Sequence, residues 1–175
     1  MVKPCHPERR EHEVLAESRD RHAFVRRILD DVRDPEMPML SITDLGIVRG
    51  VQRDGDAVVV TLTPTYAGCP AMRAIEEDVL RALSRGGIEK VRVQTSLSPP
   101  WTTDWITPRG RERLARSGIA PPVRGLEDGP TVVAVRCPHC GSFATQERSR
   151  FGPTPCTALY ACSSCREPFE HVKAF

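Results

Sequence analysis

Residues 46–63 read Gly-Ile-Val-Arg-Gly-Val-Gln-Arg-Asp-Gly-Asp-Ala-Val-Val-Val-Thr-Leu-Thr. Two β-branched runs meet there across Arg53-Asp54-Gly55-Asp56, and Asp-Gly between such runs predicts a hairpin. Toward the C-terminus, Pro64–Cys69 reads as a loop, and Pro70–Arg85 places Met72, Ile75, Val79 and Leu83 on one helical face. Proline suits the first position of a helix, so Pro70 makes Cys69 the expected N-cap. Gly86-Gly87 stops that helix, and the alternation of Val91, Val93 and Thr95 predicts a third strand within Ile88–Leu97. Toward the N-terminus, Val25, Ile28, Leu29 and Val32 recur at helical spacing from about His22 to Arg33, with Pro35 and Pro38 ending the run. Helix, hairpin, helix, strand is the order of a small α+β sandwich, with helices covering one sheet face.

The rest of the 175 residues divides around this unit. Residues 1–21 read as a flexible N-terminal tail and 22–119 as the α+β domain, closed by a short helix from Thr107-Pro108 to about Ser117. Residues 120–130 (APPVRGLEDGP) read as a linker, and 131–175 as a small β module. Trp101 and Trp105 are expected to cover the edge of the first domain. Lys and Arg number 25 against 23 Asp and Glu, a net charge of +2 that gives no electrostatic case for nucleic acid. No apolar run approaches the ~20 residues of a membrane helix, and the first residues lack a signal peptide's apolar stretch. A cytoplasmic protein without a membrane partner is the expectation.

Five of the seven cysteines lie beyond residue 136. Cys137-Pro-His-Cys140 and Cys162-Ser-Ser-Cys165 form two C-x2-C knuckles separated by 21 residues. Each knuckle offers two thiolates from one tight turn, and two knuckles close a tetrahedral shell with no open position, so the site is structural. Zn²⁺ is the first choice of ion, and thiolate-only sites also hold iron or iron–sulfur clusters. In a module of 45 residues the metal would supply much of the folding energy, on the order of 10 kcal/mol. His139, His171 and Cys156 are spare donors, with packing the expected role of Cys156. The aromatics Phe143, Phe151, Tyr160, Phe169 and Phe175 are expected to pack the ribbon, leaving protein docking as its function.

Cys69 stands apart, in Thr65-Tyr-Ala-Gly-Cys-Pro70 at a strand-to-helix junction. A thiol at a helix N-terminus can bind a metal or act as a nucleophile, and it can equally be a small buried cap. No histidine lies between residues 23 and 138, which argues against a Cys–His hydrolase. Asp34 and Glu36 can join Cys69 as hard ligands or serve a helix-ending turn, and Asp44 is equally ambiguous.

Asp34-Pro-Glu36-x-Pro38-x-x-Ser41-Ile-x-Asp44-Leu-Gly-Ile-Val48, followed by Leu62-Thr-x-Thr-Tyr66-x-Gly68-Cys69-Pro70, resembles the small domain of iron–sulfur assembly and maturation proteins. With the ribbon ending Cys165-Arg-Glu-Pro-Phe169, the chain from about residue 22 resembles the D-component family of phenylacetyl-CoA epoxidase (ring-1,2-monooxygenase). That resemblance implies an iron–sulfur assembly-type domain followed by a zinc ribbon, acting in bacterial aerobic phenylacetate degradation. It implies an accessory or maturation component, assisting iron or iron–sulfur delivery or complex assembly. Its partners would be the other epoxidase components or their maturation machinery. Cys69 would handle labile iron or a cluster with Asp34 and Glu36 beside it, and Cys137, Cys140, Cys162 and Cys165 would hold the ribbon's metal. The chain contains no Glu-x-x-His and no Gly-rich dinucleotide fingerprint, so the oxidative chemistry belongs to other components. A structural component of the oxygenase and a zinc-ribbon nucleic-acid binder are the alternatives, and pairing of two chains to share ligands stays open.

Overall fold

The hairpin forms where the Asp-Gly turn predicts it. In the computed structural model, which describes residues 21–66, 68–123 and 134–174, β1 (Val48–Asp54) runs antiparallel to β2 (Ala57–Leu62). Helix α2 (Ala71–Arg85) then crosses over, and β3 (Val91–Thr95) returns parallel to β2, with Val58 opposite Val91 and Val60 opposite Val93. The sheet order is β1-β2-β3. Ala71, Ile75, Val79 and Leu83 form the buried stripe of α2, and α1 (residues 21–29) adds Val25 and Leu29. Even a 15-residue helix such as α2 is marginal alone. Burial at about 1.5–3 kcal/mol per large aliphatic side chain is what holds both helices.

Two boundaries differ from the sequence expectation. Helix α1 ends at residue 29 rather than at Arg33, because the chain exchanges helical bonds for pairing with residues 40–42. Asp34 N–H donates to the Leu40 carbonyl at 3.1 Å, and Ile42 N–H to the Val32 carbonyl at 3.0 Å. Pro70, not Cys69, occupies the N-cap of α2, with no side-chain cap bond, so Cys69 lies one residue outside the helix.

The segment between α1 and β1 is organised by Asp44, which is fully buried. Its Oδ2 accepts Ser41 N–H at 3.2 Å and Arg113 Nη1 at 2.6 Å, while Oδ1 accepts Arg109 Nε at 2.7 Å. Its carbonyl accepts Thr107 N–H at 2.9 Å. Both arginines belong to α3 (Pro108–Arg116), so one carboxylate fastens that helix to the loop. Next to it, Gly46 has φ +71°, and a Cβ there would stand 2.4 Å from the Trp105 carbonyl oxygen. Only glycine lets the two backbones approach this closely. Trp101 is buried and donates Nε1–H to the Leu45 carbonyl at 2.9 Å, and the Arg49 guanidinium lies 3.7 Å over the Trp105 ring. Both tryptophans cover the domain as expected.

Beyond α3 the chain enters a second sheet. β4 (Ile119–Ala120) pairs parallel with β7 (Pro168–Val172), β7 pairs antiparallel with β6 (Thr157–Cys162), and β6 with β5 (Thr145–Ser149). Ala120, read from sequence as the first linker residue, is therefore a strand residue of the ribbon sheet, and residues 124–130 of that linker lie outside the described residues.

Gly46→Ala combines the ~1–2 kcal/mol of a left-handed residue with displacement of the Trp105 backbone, for a total of at least about 2 kcal/mol in urea unfolding. Asp44→Asn removes charge-assisted bonds from both arginines and should cost about 2–3 kcal/mol. Burial alone would raise the Asp44 carboxyl, but the Arg109 guanidinium and the Ser41 amide and hydroxyl hold it below the ordinary 3.8. This contribution is therefore complete above the usual carboxylate range and is lost as pH falls through the lowered value. The Asn variant should show a correspondingly shallower acid limb.

Candidate metal sites

The two knuckles are built alike. Gly141 N–H donates to the Cys137 carbonyl at 2.9 Å, and Arg166 N–H to the Cys162 carbonyl at 3.0 Å. Each of these closing residues follows the second cysteine and turns through positive φ, +78° for Gly141 and +67° for Arg166. The turns bring Cys137, Cys140, Cys162 and Cys165 together with all four sulfurs within 4.8 Å of one another. Cys137 and Cys165 are 3.7 Å apart, Cys140 and Cys162 3.5 Å. Zn–S bonds of ~2.3 Å set the edges of a tetrahedron at about 3.8 Å, so the quartet fits zinc.

The electrostatics also call for a cation. The Cys165 amide, and then that of Ser164, bring the Cys162 thiol down to about 6 against its burial. Cys165 receives the Glu167 amide yet ends at about 12, because burial and the Cys140, Cys162 and Cys137 sulfurs oppose its charge. Four sulfurs this close cannot all ionise without an ion between them, and a bound Zn²⁺ removes that conflict.

The spare donors lie elsewhere. His171 turns Nδ1 to the Ala120 carbonyl at 3.2 Å, and burial pushes it below the usual 6.5. His139 meets the edge of Phe169, and Tyr160 stacks on Phe169 at 5.8 Å. Phe143 and Phe151 do not pack the ribbon as expected, being 61% and 78% exposed; Phe175 lies outside the described residues.

Cys69 is half-buried in the loop between β2 and α2 and packs against the core of the first sheet. Its N–H donates to the Tyr66 carbonyl at 3.2 Å, and its carbonyl accepts Met72 N–H at 3.3 Å. Asp34 is buried, and its Oδ1 accepts the amides of Glu36 at 2.8 Å and Met37 at 2.7 Å. This carboxylate shapes the turn that carries Glu36. Burial raises Asp34 despite those amides, and burial together with the Asp34 charge raises Glu36. Sequence reasoning missed Tyr66. Its phenol oxygen is buried and is pushed up to about 12, first by burial, then by the charges of Cys69 and Glu36 and by its hydrogen bond with the Cys69 side chain. Its presence two residues before Gly68 was the available signal.

Known proteins align with both parts. Residues 22–95 match the model of an iron–sulfur cluster assembly protein, and residues 122–173 that of the PaaD zinc beta ribbon domain. An Escherichia coli (strain K12) protein named as the candidate D component of 1,2-phenylacetyl-CoA epoxidase is 47% identical, over 83% of this chain and 88% of its own length. An Fe-S protein maturation auxiliary factor of Porphyromonas gingivalis (strain ATCC BAA-308 / W83) is 36% identical, over 46% of this chain and 78% of its own. A crystal structure of a DUF59 domain from Bacillus anthracis is 31% identical, covering 53% of this chain and 92% of that one, with a TM-score of 0.48.

Purified protein should contain about one zinc per chain, and Cys162→Ser should lower that content sharply. Loss of the metal should also disorder the Tyr160–Phe169 stack, read as a fall in near-ultraviolet circular dichroism. A full zinc complement in the serine variant would contradict the four-sulfur assignment.

Proposed function

Because the chain belongs to the D-component family of phenylacetyl-CoA epoxidase, with an iron–sulfur assembly domain and a zinc ribbon, we propose that it is an accessory protein delivering iron or an iron–sulfur species to the epoxidase. The observation that carries this reading is the Cys69 site: a half-buried thiol in the assembly-type domain, in one neighbourhood with Glu36 and the buried phenol oxygen of Tyr66. The two-module division belongs to the same reading, with residues 22–119 presenting the thiol and 131–175 docking the client. Exposed Phe143 and Phe151 on the ribbon support docking to protein, since aromatic side chains are over-represented at such interfaces. No helix among the described residues is long and apolar enough to cross a membrane.

The ribbon and Cys69 would have different chemical duties. A closed four-thiolate shell releases its ion reluctantly and serves as structure. At Cys69, few donors and partial exposure suit a cargo held for a short time. Delivery is ligand substitution: a client donor–iron bond forms as the Cys69 Sγ–iron bond breaks, and no electron moves. The soft thiolate also favours iron species over the hard, abundant Mg²⁺ and Ca²⁺. Asp34 acts indirectly, by holding the turn that aims Glu36.

The test is reconstitution of iron-depleted epoxidase with the iron-loaded full chain under anaerobic conditions. Wild type should restore client iron content and activity. Cys69→Ser should fail while keeping its zinc and its affinity for the complex. A serine variant that restores the client as well as wild type would end the delivery reading. Fixed-stoichiometry co-purification with unchanged client iron would then favour a structural component.

A further inference from the structure

The ribbon sheet turns its two faces to different surroundings. Side chains alternate across a strand, so Val172 of β7 is buried in the first module's core while His171 points to the opposite face. Ala158 and Tyr160 of β6 share the His171 face, with Ala158 opposite His171 and Tyr160 opposite Glu147 of β5. That face carries an open cavity of about 610 Å³. Its floor is small and apolar, since Ala158 and Val135 line it and are both buried. Tyr160 and the exposed ring of Phe151 add aromatic lining.

The polar groups of this cavity are unevenly committed. Glu147 accepts the Tyr160 hydroxyl at 3.2 Å and lies 3.8 Å from Arg150 Nε. His171 donates Nδ1–H to the Ala120 carbonyl and, held below the usual 6.5 by burial, adds no charge at neutral pH. Lys173 Nζ reaches the Arg150 carbonyl at 3.4 Å and lies 5.9 Å from the centre of the Phe151 ring. Among the described residues it meets no carboxylate. Two cations and one carboxylate leave a net positive charge beside an uncovered aromatic ring. That small excess is too little for the many phosphates of a nucleic-acid backbone, and it suits one or two carboxylates.

We propose that this cavity is where the ribbon docks its client, and that its occupant is an acidic client segment bearing an apolar side chain. The apolar group packs over Ala158 and against Phe151, and the flanking carboxylates meet Lys173 and Arg150. The inference deepens, and rests on, the reading of residues 131–175 as the docking module. Covering the Phe151 ring removes apolar surface from water, while the two cations at the rim steer and orient the approaching segment.

The test measures binding of the zinc-loaded full chain to iron-depleted epoxidase at low and high salt. Lys173→Glu and Arg150→Glu should each weaken it about tenfold, mainly by slowing association, and the deficit should shrink at high salt. Phe151→Ala should weaken it about tenfold with the salt dependence unchanged. Arg148→Glu changes the net charge equally from outside the cavity lining, and should alter affinity by less than about threefold. An equal loss in Arg148→Glu would reduce the effect to overall charge and overturn the site. Undiminished binding by the cavity variants would overturn it too, while leaving delivery by Cys69 intact. No binding by wild type would overturn the accessory reading itself. A photoreactive benzophenone residue in place of Phe151 identifies the occupant, and it decides alone should the charge variants lose their zinc. A cross-link to an acidic client segment supports the proposal. A cross-link to another client segment, to a second copy or within the chain overturns it, as does none.

Discussion

Four sulfurs packed within 4.8 Å cannot all be thiolates without an ion among them. The rest of the ribbon follows from satisfying that quartet. An ion binding it fixes both knuckles, the knuckles fix the ends of the β5–β6–β7 sheet, and β7 then offers its open side to β4. Through β4 the ribbon acquires a defined orientation on the first module, and that orientation brings Cys156 and Val172 against the first module's core. A site of one ion thus governs surfaces far from its ligands. The small module has little else to do so: among the described residues its own buried cluster comprises Ala120, Val135, Cys137, Cys162 and Phe169.

What the sequence made legible was local. The Asp-Gly hairpin, the apolar stripe of α2 and the two knuckles each lie within a short window, and each appears close to its predicted place. What stayed hidden depended on partners distant in sequence. Asp44 looked ambiguous because its arginines are 65 and 69 residues away. Helix α1 stops early because residues 40–42 compete for its backbone, which no periodicity shows. The two residues of β4 carry no strand signal of their own and are ordered by β7. Cys156 packs as its spacing predicts, but against the first module's core rather than within the ribbon's own cluster.

The two kinds of sulfur site differ in the number of donors and in what surrounds them. The ribbon thiols are fed by backbone amides of their own turns, so their geometry is set by chain-local bonds. The Cys69 neighbourhood draws instead on Asp34's turn and on the β2–α2 loop, pieces distant in sequence. Affinity falls and exchange quickens when donors are not preorganised. That contrast is consistent with the proposed division between a metal that is kept and a cargo that is delivered.

The pairing of β4 with β7 carries a practical consequence for anyone dissecting this chain. Severing it at the apparent linker would strand Ile119–Ala120 on one fragment and bare the flank of β7 on the other. Uncovered strand flanks recruit neighbouring molecules through their free amides and carbonyls. Fragments made that way would report on sticky ends rather than on the halves of the native molecule.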